Sequence, residues 1–404
     1  MMLLKNAKTL DSYLSQKGFS SLEIALKKKQ NYLISEVERS GLVGRGGAAF
    51  PTGLKMKFTA ASTSTPKYIV ANADEGEPGT FKDRVLMEKN PYQILEGMII
   101  SAYAIGARKG FFYIRQEYRK LAKRIEEIIT ELYREGYLGK NILGTRFSFD
   151  IELVIGGGAY ICGEETALIE SIEGKRGFPR MKPPYPAQSG LWNKPTLINN
   201  VETLANIPLI VELGGENYRN LGSELCPGPK LFSVSGFVND AGVYEEMLGE
   251  LTVGEIIDYA GGVDGEFKAL MLGGGAAGYI LDKSFLDMPL CFYHAKERGI
   301  SLGTGDIIVF NHNVDLWQVL LKISQFFEHE SCGQCFPCRY GTKKMREIME
   351  KIVSGKGSKF DIERLNRISR AMKLASLCPL GTSAPMAYES AMEYFHDELM
   401  EVIK

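Results

Sequence analysis

The amino-acid sequence predicts an α/β protein: a helix-covered, mainly parallel sheet, then a small α+β module, then a helical bundle at the C-terminus. Three features carry that expectation. Short apolar runs alternate with helix-period segments over the first half of the chain, the pattern of strands joined by crossover helices. From Pro229 to about Phe310 the texture changes to short strands punctuated by glycine turns. After Asp315 the chain reads as almost wholly helical. The expected units are a helical segment with a glycine-rich loop at 1–60, the sheet domain at 61–227, the α+β module at 228–312 and the bundle at 313–404.

The elements follow in order. Leu22, Ala25, Leu26, Leu33, Ile34 and Val37 fall at helical spacing within a largely helical stretch, 1–40. A glycine loop, Gly41–Gly53, precedes a strand at Lys67–Ala71. Asn90-Pro91 opens a helix that runs to about Gly106. A strand at Phe111–Ile114, a helix at Glu117–Gly136 and a strand at Ile151–Ile155 come next, the last entering Gly156-Gly157-Gly158. The module contains KLFSVSGFV, GVYEEML, KALMLGG and DIIVF as strands, with one helix near Val253–Ala260. Bundle helices are expected at 315–329, 339–354, 360–375 and 383–401.

Bulk properties narrow the function. The chain has 404 residues, 45% hydrophobic and 24% charged, with a net charge of −1. That balance is ordinary for a globular protein and lacks the basic footprint of a nucleic-acid binder. The most apolar stretch, Gly97–Ala107, is far shorter than the ~20 residues a membrane span needs, so no direct membrane insertion is expected. No segment reads as a secretory signal, and the seven cysteines are sparse for a disulfide scaffold. A reducing, cytoplasmic setting is expected, on the cytoplasmic side of a membrane complex if other subunits hold the chain there.

Cys332, Cys335 and Cys338 in ESCGQCFPC, with Cys378 in SLCPLG, are the strongest chemical signal. Three thiols at C-x2-C-x2-C and a remote fourth before proline make a ligand set for a [4Fe–4S] cube, one loop wrapping three corners. Structural zinc usually takes two C-x2-C knuckles, a pattern this set fits poorly; zinc and disulfides stay open on spacing alone. Cys162, Cys226 and Cys291 read as separate buried hydrophobes.

Four further motifs lie upstream. Gly44–Gly53 with Lys55 is a loop whose glycines let backbone amides approach a ligand, with Arg45 and Lys55 supplying positive charge for a phosphate or a reduced cofactor. Asn72–Arg84 packs carboxylates directly after a strand, where such folds bind ligands, and carboxylates suit ribose or ribityl hydroxyls. A solvated acidic loop or a calcium loop are the alternatives. Gly156–Leu168 brings a strand into a glycine turn and a helix opened by Glu164 and Glu165, which serve the helix dipole or flank a bound phosphate. Arg180–Pro186 holds Lys182 and Tyr185 on a proline-stiffened strip, and Ile198–Thr203 follows.

The phrases GRGGAAFPTGLK, ANADEGEPGTFKDR, GGGAYICGEETAL, KPPYPAQSG, INNVET and ESCGQCFPCRYGT occur in this order in one family. Over roughly residues 30–395 the chain resembles the NADH-binding flavoprotein subunit of respiratory complex I and its counterparts in NAD-dependent hydrogenases and formate dehydrogenases. The resemblance implies a Rossmann-like domain holding FMN through Gly44, Gly46, Lys55, Asn72, Asp74, Glu75, Gly163, Glu164, Asn199, Asn200 and Thr203. It implies NAD(H) as substrate over the flavin near Phe50, Phe58, Glu77, Glu165, Lys182 and Tyr185. Glu77 and Glu165 are given the catalytic role, setting the charge balance of the reduced flavin and helping release the nucleotide. The module would be ubiquitin-like, and the bundle would hold the [4Fe–4S] cluster. The implied partners are a thioredoxin-like [2Fe–2S] subunit and at least one further iron–sulfur subunit, with no nucleic acid. Ala49, Met56 and Tyr185 depart from the family's usual glycine, tryptophan and phenylalanine. The same module within a bifurcating hydrogenase or formate dehydrogenase is the alternative, and a non-catalytic relay scaffold the alternative of another class; the terminal acceptor is not written in the chain.

Overall fold

A computed structural model describes residues 1–275 and 277–403. Its first sheet has strands β1 (Tyr68–Ala73), β2 (Lys109–Arg115), β3 (Asp150–Gly156) and β4 (Thr196–Asn200). Their order is β3-β2-β1-β4 and every pair is parallel. Both faces are covered. Ile69 and Ala71 enter one apolar core with the N-terminal helices and helices Pro91–Ile105 and Val201–Leu213, while Val70 faces a second core shared with the C-terminal helices. Strands buried on both faces read as continuous apolar runs, as KYIVA does. The chain steps outward from β1 to β2 to β3, then returns to place β4 on the other side of β1. The order therefore reverses between β1 and β4, and ligands of such sheets sit at the carboxyl ends of the strands at that reversal.

Helix Pro91–Ile105 starts with proline in its first turn and ends at Gly106, whose φ of 79° is the left-handed geometry glycine adopts freely. A Cβ at Gly97 would stand 1.9 Å from Leu204 O, so this glycine lets helices Pro91–Ile105 and Val201–Leu213 pack backbone to backbone. Helices Thr52–Ala61, Lys82–Lys89 and Val201–Leu213, and strand β4, were not expected from the sequence. The last helix is buried nearly all round through Ile210 and so lacks the apolar stripe that marks a surface helix.

A small ribbon, β5 (Gly222–Ser223) and β6 (Cys226–Pro227), leads into the second sheet. That sheet contains β7 (Pro229–Gly236), β8 (Gly242–Met247), β9 (Phe267–Leu272), β10 (Tyr279–Leu281) and β11 (Asp306–Asn311), ordered β10-β9-β11-β7-β8. Its first and last strands, β7 and β11, lie parallel at the centre with antiparallel neighbours outside. Helix Val253–Tyr259 packs on it, the ubiquitin-like arrangement, and a short helix, Phe292–Glu297, adds to the single one expected.

The bundle has helices Leu316–Glu330, Phe336–Lys351 and Lys359–Ala375 close to expectation. The stretch expected as one helix at 383–401 is divided: Met386–Tyr394 and His396–Glu401 are separated by Phe395, whose φ of −129° and ψ of 27° leave the helical region. The helix expected from residue 339 starts earlier, at Phe336 with Pro337 in its first turn, which makes Cys335 its N-cap and puts Cys338 in the helix.

Candidate functional site

The carboxyl ends of β1 and β4 draw the upstream motifs together. Ala71 and Asn72 pair in register with Asn199 and Asn200. Asn200 caps helix Val201–Leu213, its Oδ1 accepting from Glu202 N at 2.9 Å. Thr203, one turn in, accepts at its hydroxyl from Arg45 N at 2.8 Å and so pins the glycine loop. Lys55 Nζ donates to Ile198 O at 3.0 Å. From the third motif, Gly163 O accepts from Asn72 Nδ2 at 3.0 Å. A Cβ on Gly46 would come within 3.0 Å of Asn200 Cβ, so the loop lies hard against the strand end. Ala49 holds a φ of 50°, a left-handed geometry that explains glycine as the usual residue there.

The acidic side chains divide by what they touch. Asp74 Oδ2 is buried with no hydrogen-bond partner, and burial, opposed by Arg115 and reinforced by Glu117 and Glu330, pushes its carboxyl up to about 7. Asn199 Nδ2 is likewise buried and unpartnered. These orphaned groups, one acceptor and one donor at the switch point, suit a ligand rich in hydroxyls and ring heteroatoms. Glu75 faces the start of helix Lys82–Lys89 instead: its oxygens accept from Asp83 N at 2.7 Å, Arg84 N at 3.0 Å and Tyr118 Oη at 3.1 Å. Glu164 is the N-cap of helix Glu165–Ile172, Oε2 accepting from Thr166 N at 2.8 Å and Ala167 N at 3.0 Å. Its Oε1 meets Lys182 Nζ at 2.8 Å.

Glu165 sits between two cations, Lys182 Nζ at 2.7 Å and Lys55 Nζ at 3.5 Å. Burial opposes its ionisation, but the two ammonium groups outweigh burial and hold its carboxyl below the ordinary range. Glu77 accepts from Tyr160 Oη and, at 2.9 Å, from Ala277 N, reaching from the sheet domain to the ubiquitin-like module. Phe50, Phe58 and Tyr185 expose about half their surface.

Arg45 corrects an expectation. Its side chain is fully buried and turned away from the loop, Nη2 donating to Pro227 O at 2.8 Å, so it supplies no charge to a phosphate in the cradle. Beneath the cradle lies a charged network that the motifs did not announce. Lys82 Nζ bridges Asp83 and Glu202 at 2.7 Å each, Asp83 Oδ2 accepts from Asn200 Nδ2 at 2.6 Å, and Lys230 Nζ lies 3.7 Å from Glu202. All four charged residues are buried, and burial pushes Lys230 down to about 7. A lone carboxylate in the apolar run VETLANIPLI is the signal that would have marked Glu202.

Cys332, Cys335, Cys338 and Cys378 line one hollow, joined by Ile161, Pro179, Leu377 and Leu380. The four thiols ring one space, which suits a cube. Burial and neighbouring thiols push Cys338 up to about 12, and a bound cationic centre is what deprotonates such groups. The hollow abuts the Gly156–Leu168 motif: Ile161 belongs to the same turn, Tyr160–Gly163, whose Gly163 O meets Asn72. Tyr160 N donates to Glu330 Oε2 at 2.8 Å, fastening that turn to the bundle.

Similarity to known proteins covers both the cradle and the thiol hollow. A region described as the Nuo51 FMN-binding domain matches residues 37–209, and one described as the NADH-ubiquinone oxidoreductase-F iron-sulfur binding region matches residues 318–402. An NADH-quinone oxidoreductase subunit of Aquifex aeolicus is 46% identical over 98% of this chain and 93% of its own length. The chain belongs to this family of NADH-quinone oxidoreductase subunits. As in that family, an FMN-binding domain and a 4Fe–4S region share one chain, the composition of an NADH-oxidising flavoprotein subunit of a multi-subunit oxidoreductase. NADP-reducing hydrogenase subunit HndC of Solidesulfovibrio fructosivorans is 41% identical over 96% of this chain and 80% of its own length. The structure of an NAD+-reducing [NiFe]-hydrogenase in the H2-reduced state superposes with a TM-score of 0.89 at 37% identity, covering 98% of this chain and 66% of that one. The chain is thus similar both to NADH-quinone oxidoreductase subunits and to chains of hydrogenases that reduce NAD+ or NADP. No helix among the described residues is long and apolar enough to cross a membrane.

Proposed function

We propose that the cradle at the β1–β4 switch point holds FMN, with NADH entering over Phe50, Phe58 and Tyr185. When bound, FMN supplies the acceptance of a hydride and the release of single electrons toward the iron–sulfur cluster. The chain's own residues position and insulate. Asn72, Asp74, Asn199, Asn200 and Thr203, with the amides around Gly44 and Gly46, meet the flavin's polar groups; Lys55 brings positive charge beside its ring. Glu75 and Glu164 act by capping the two helices that shape the cradle. Glu77 and Glu165 place carboxylates at its mouth, whose negative charge favours release of the anionic nucleotide, while Lys182 tempers Glu165. Cys332, Cys335, Cys338 and Cys378 ligate the [4Fe–4S] cube.

The observation that carries this reading is the Tyr160–Gly163 turn, which touches the cradle at Gly163 and the thiol hollow at Ile161. One turn between the two centres supports direct transfer from one to the other. Beyond the cluster, exposed Phe336 and Tyr340 stack with centroids 5.3 Å apart beside Cys335, and Leu377 flanks Cys378. That apolar surface suits a further iron–sulfur subunit, of which a thioredoxin-like [2Fe–2S] protein is one. The sparse cysteines outside the cluster set support work in the reducing cytoplasm. NADH-dependent ferricyanide reduction by the FMN-loaded chain tests the proposal; a chain that binds FMN yet gives no such activity would be a relay scaffold.

A further inference from the structure

Two of the cysteines outside the iron–sulfur set are not separate hydrophobes: they meet. Cys226 lies in β6, and Cys291 is the N-cap of helix Phe292–Glu297. The two meet at the start of that one helix, within the same apolar core. Tyr293 N donates to Cys226 Sγ at 3.4 Å, so the helix that starts after Cys291 also seats the other sulfur. Both are buried in one apolar core, close in sequence to exposed Leu225 and Tyr293. The hydrogen bond from Cys226, aided by the amides of His294 and Tyr293, holds the Cys291 thiol below its ordinary range, although burial opposes this. A thiol beside a sulfur biased toward thiolate is the arrangement of a reactive dithiol.

The pair is wired to the glycine loop. Arg45 Nη2 donates to the carbonyl of Pro227, the residue after Cys226. The same guanidinium lies 5.9 Å from the ring of Phe292, the residue after Cys291. Its Nε and Nη1 have no hydrogen-bond partner in this fully buried site, where Glu202 and Tyr218 feel its charge. Its own backbone N–H is the group that ties the loop to Thr203.

We propose that Cys226 and Cys291 form a modification site, a dithiol that closes reversibly to a disulfide and, through Arg45, resets the glycine loop. The oxidant is hydrogen peroxide. Cys291 thiolate attacks one peroxide oxygen; the S–O bond forms, the O–O bond breaks and hydroxide leaves, taking a proton as water. Cys226 sulfur then displaces the sulfenic oxygen, the S–S bond forms and a second water departs with the thiol proton. Two thiols thus supply the two electrons that reduce one peroxide to two waters. A dithiol reductant reverses the change by exchange. The effect on the loop rests on reading Gly44–Gly53 as part of the flavin cradle; closure of the disulfide does not.

The test treats the FMN- and cluster-loaded protein with stoichiometric hydrogen peroxide, blocks remaining thiols with iodoacetamide and maps peptides without reduction. A cross-linked pair containing Cys226 and Cys291, released by dithiothreitol, is expected. FMN retention or KM for NADH should change about fivefold, the lower end of coupling between sites, and recover on reduction. Cys226→Ala and Cys291→Ala should abolish both effects; if either fails to fold, the wild-type map still decides closure. Alkylation of both cysteines after peroxide overturns the site. A cross-link with unchanged FMN retention and kinetics overturns the link through Arg45. Mapping needs no turnover, so failure of the NADH reading leaves its result interpretable.

Discussion

Lys182→Ala puts the nucleotide site to its sharpest test. Taken alone, losing one charge-assisted hydrogen bond to NADH costs about 1.5–3 kcal/mol. The structure reduces that figure. Lys182 Nζ already meets Glu164 Oε1 at 2.8 Å and Glu165 Oε1 at 2.7 Å, with 28% of its side chain exposed. Each partly exposed ion pair is worth about 0.2–1 kcal/mol, and the ammonium must share or leave these contacts to serve the nucleotide. The net loss is about 1 kcal/mol, roughly five- to tenfold in KM for NADH. Because the contact is equally present in the bound and reacting complexes, kcat should hold nearly constant. Steady-state NADH–ferricyanide kinetics at fixed ionic strength read this directly. An unchanged KM, or a fall in kcat at constant KM, would refute the placement of Lys182 against the substrate.

Three further outcomes follow from the same geometry. Cys335→Ser should lose the cluster and transfer to the partner subunit while keeping FMN and most ferricyanide activity, since the cradle residues all precede residue 204; full iron and sulfide in the purified variant would show the ligand set to be wrong. Glu202→Gln strips the buried countercharge from Lys82, 2.7 Å away, and from Lys230, and should cost about 3–5 kcal/mol in urea unfolding; a change below about 1 kcal/mol would mean the network is neutralised otherwise. Asp74 carries its folded value at about 7 against 3.8 ordinarily, so the folded chain holds a proton there that the unfolded chain releases. Stability of the flavin-free protein should therefore fall as pH rises from about 4 to about 7, by up to about 1.4 kcal/mol per pH unit, and Asp74→Asn should remove that part of the slope; Glu75, also pushed up to about 7 by burial, contributes with the same sign. Parallel slopes in wild type and variant would show Asp74 ionised throughout.

Much of this protein is local and hence legible in the chain. Spacing marks Cys332, Cys335 and Cys338 as candidate cluster ligands, because one loop can wrap three corners of a cube. Strands β1, β2 and β3 stand out as apolar runs because both faces of a parallel sheet are buried, and helix Pro91–Ile105 is bounded by proline and glycine for backbone reasons confined to those residues. The six motif phrases carry the family and its cofactors in the order of the chain. What each side chain in those phrases does is another matter. Glu75 and Glu164 look like ligand carboxylates in sequence, yet their oxygens satisfy the open amides of helix starts; Arg45 looks like a phosphate clamp, yet it is buried against Pro227. Helix Val201–Leu213 hid for lack of an amphipathic stripe, and the meeting of Cys226 with Cys291 depends on how the ubiquitin-like module closes over the β5–β6 ribbon. A hydrogen-bonding partner or burial partner distant in sequence is chosen by topology, which no window of the chain contains. Only the tertiary structure, by reversing strand order between β1 and β4, settled which polar groups are left over for a ligand.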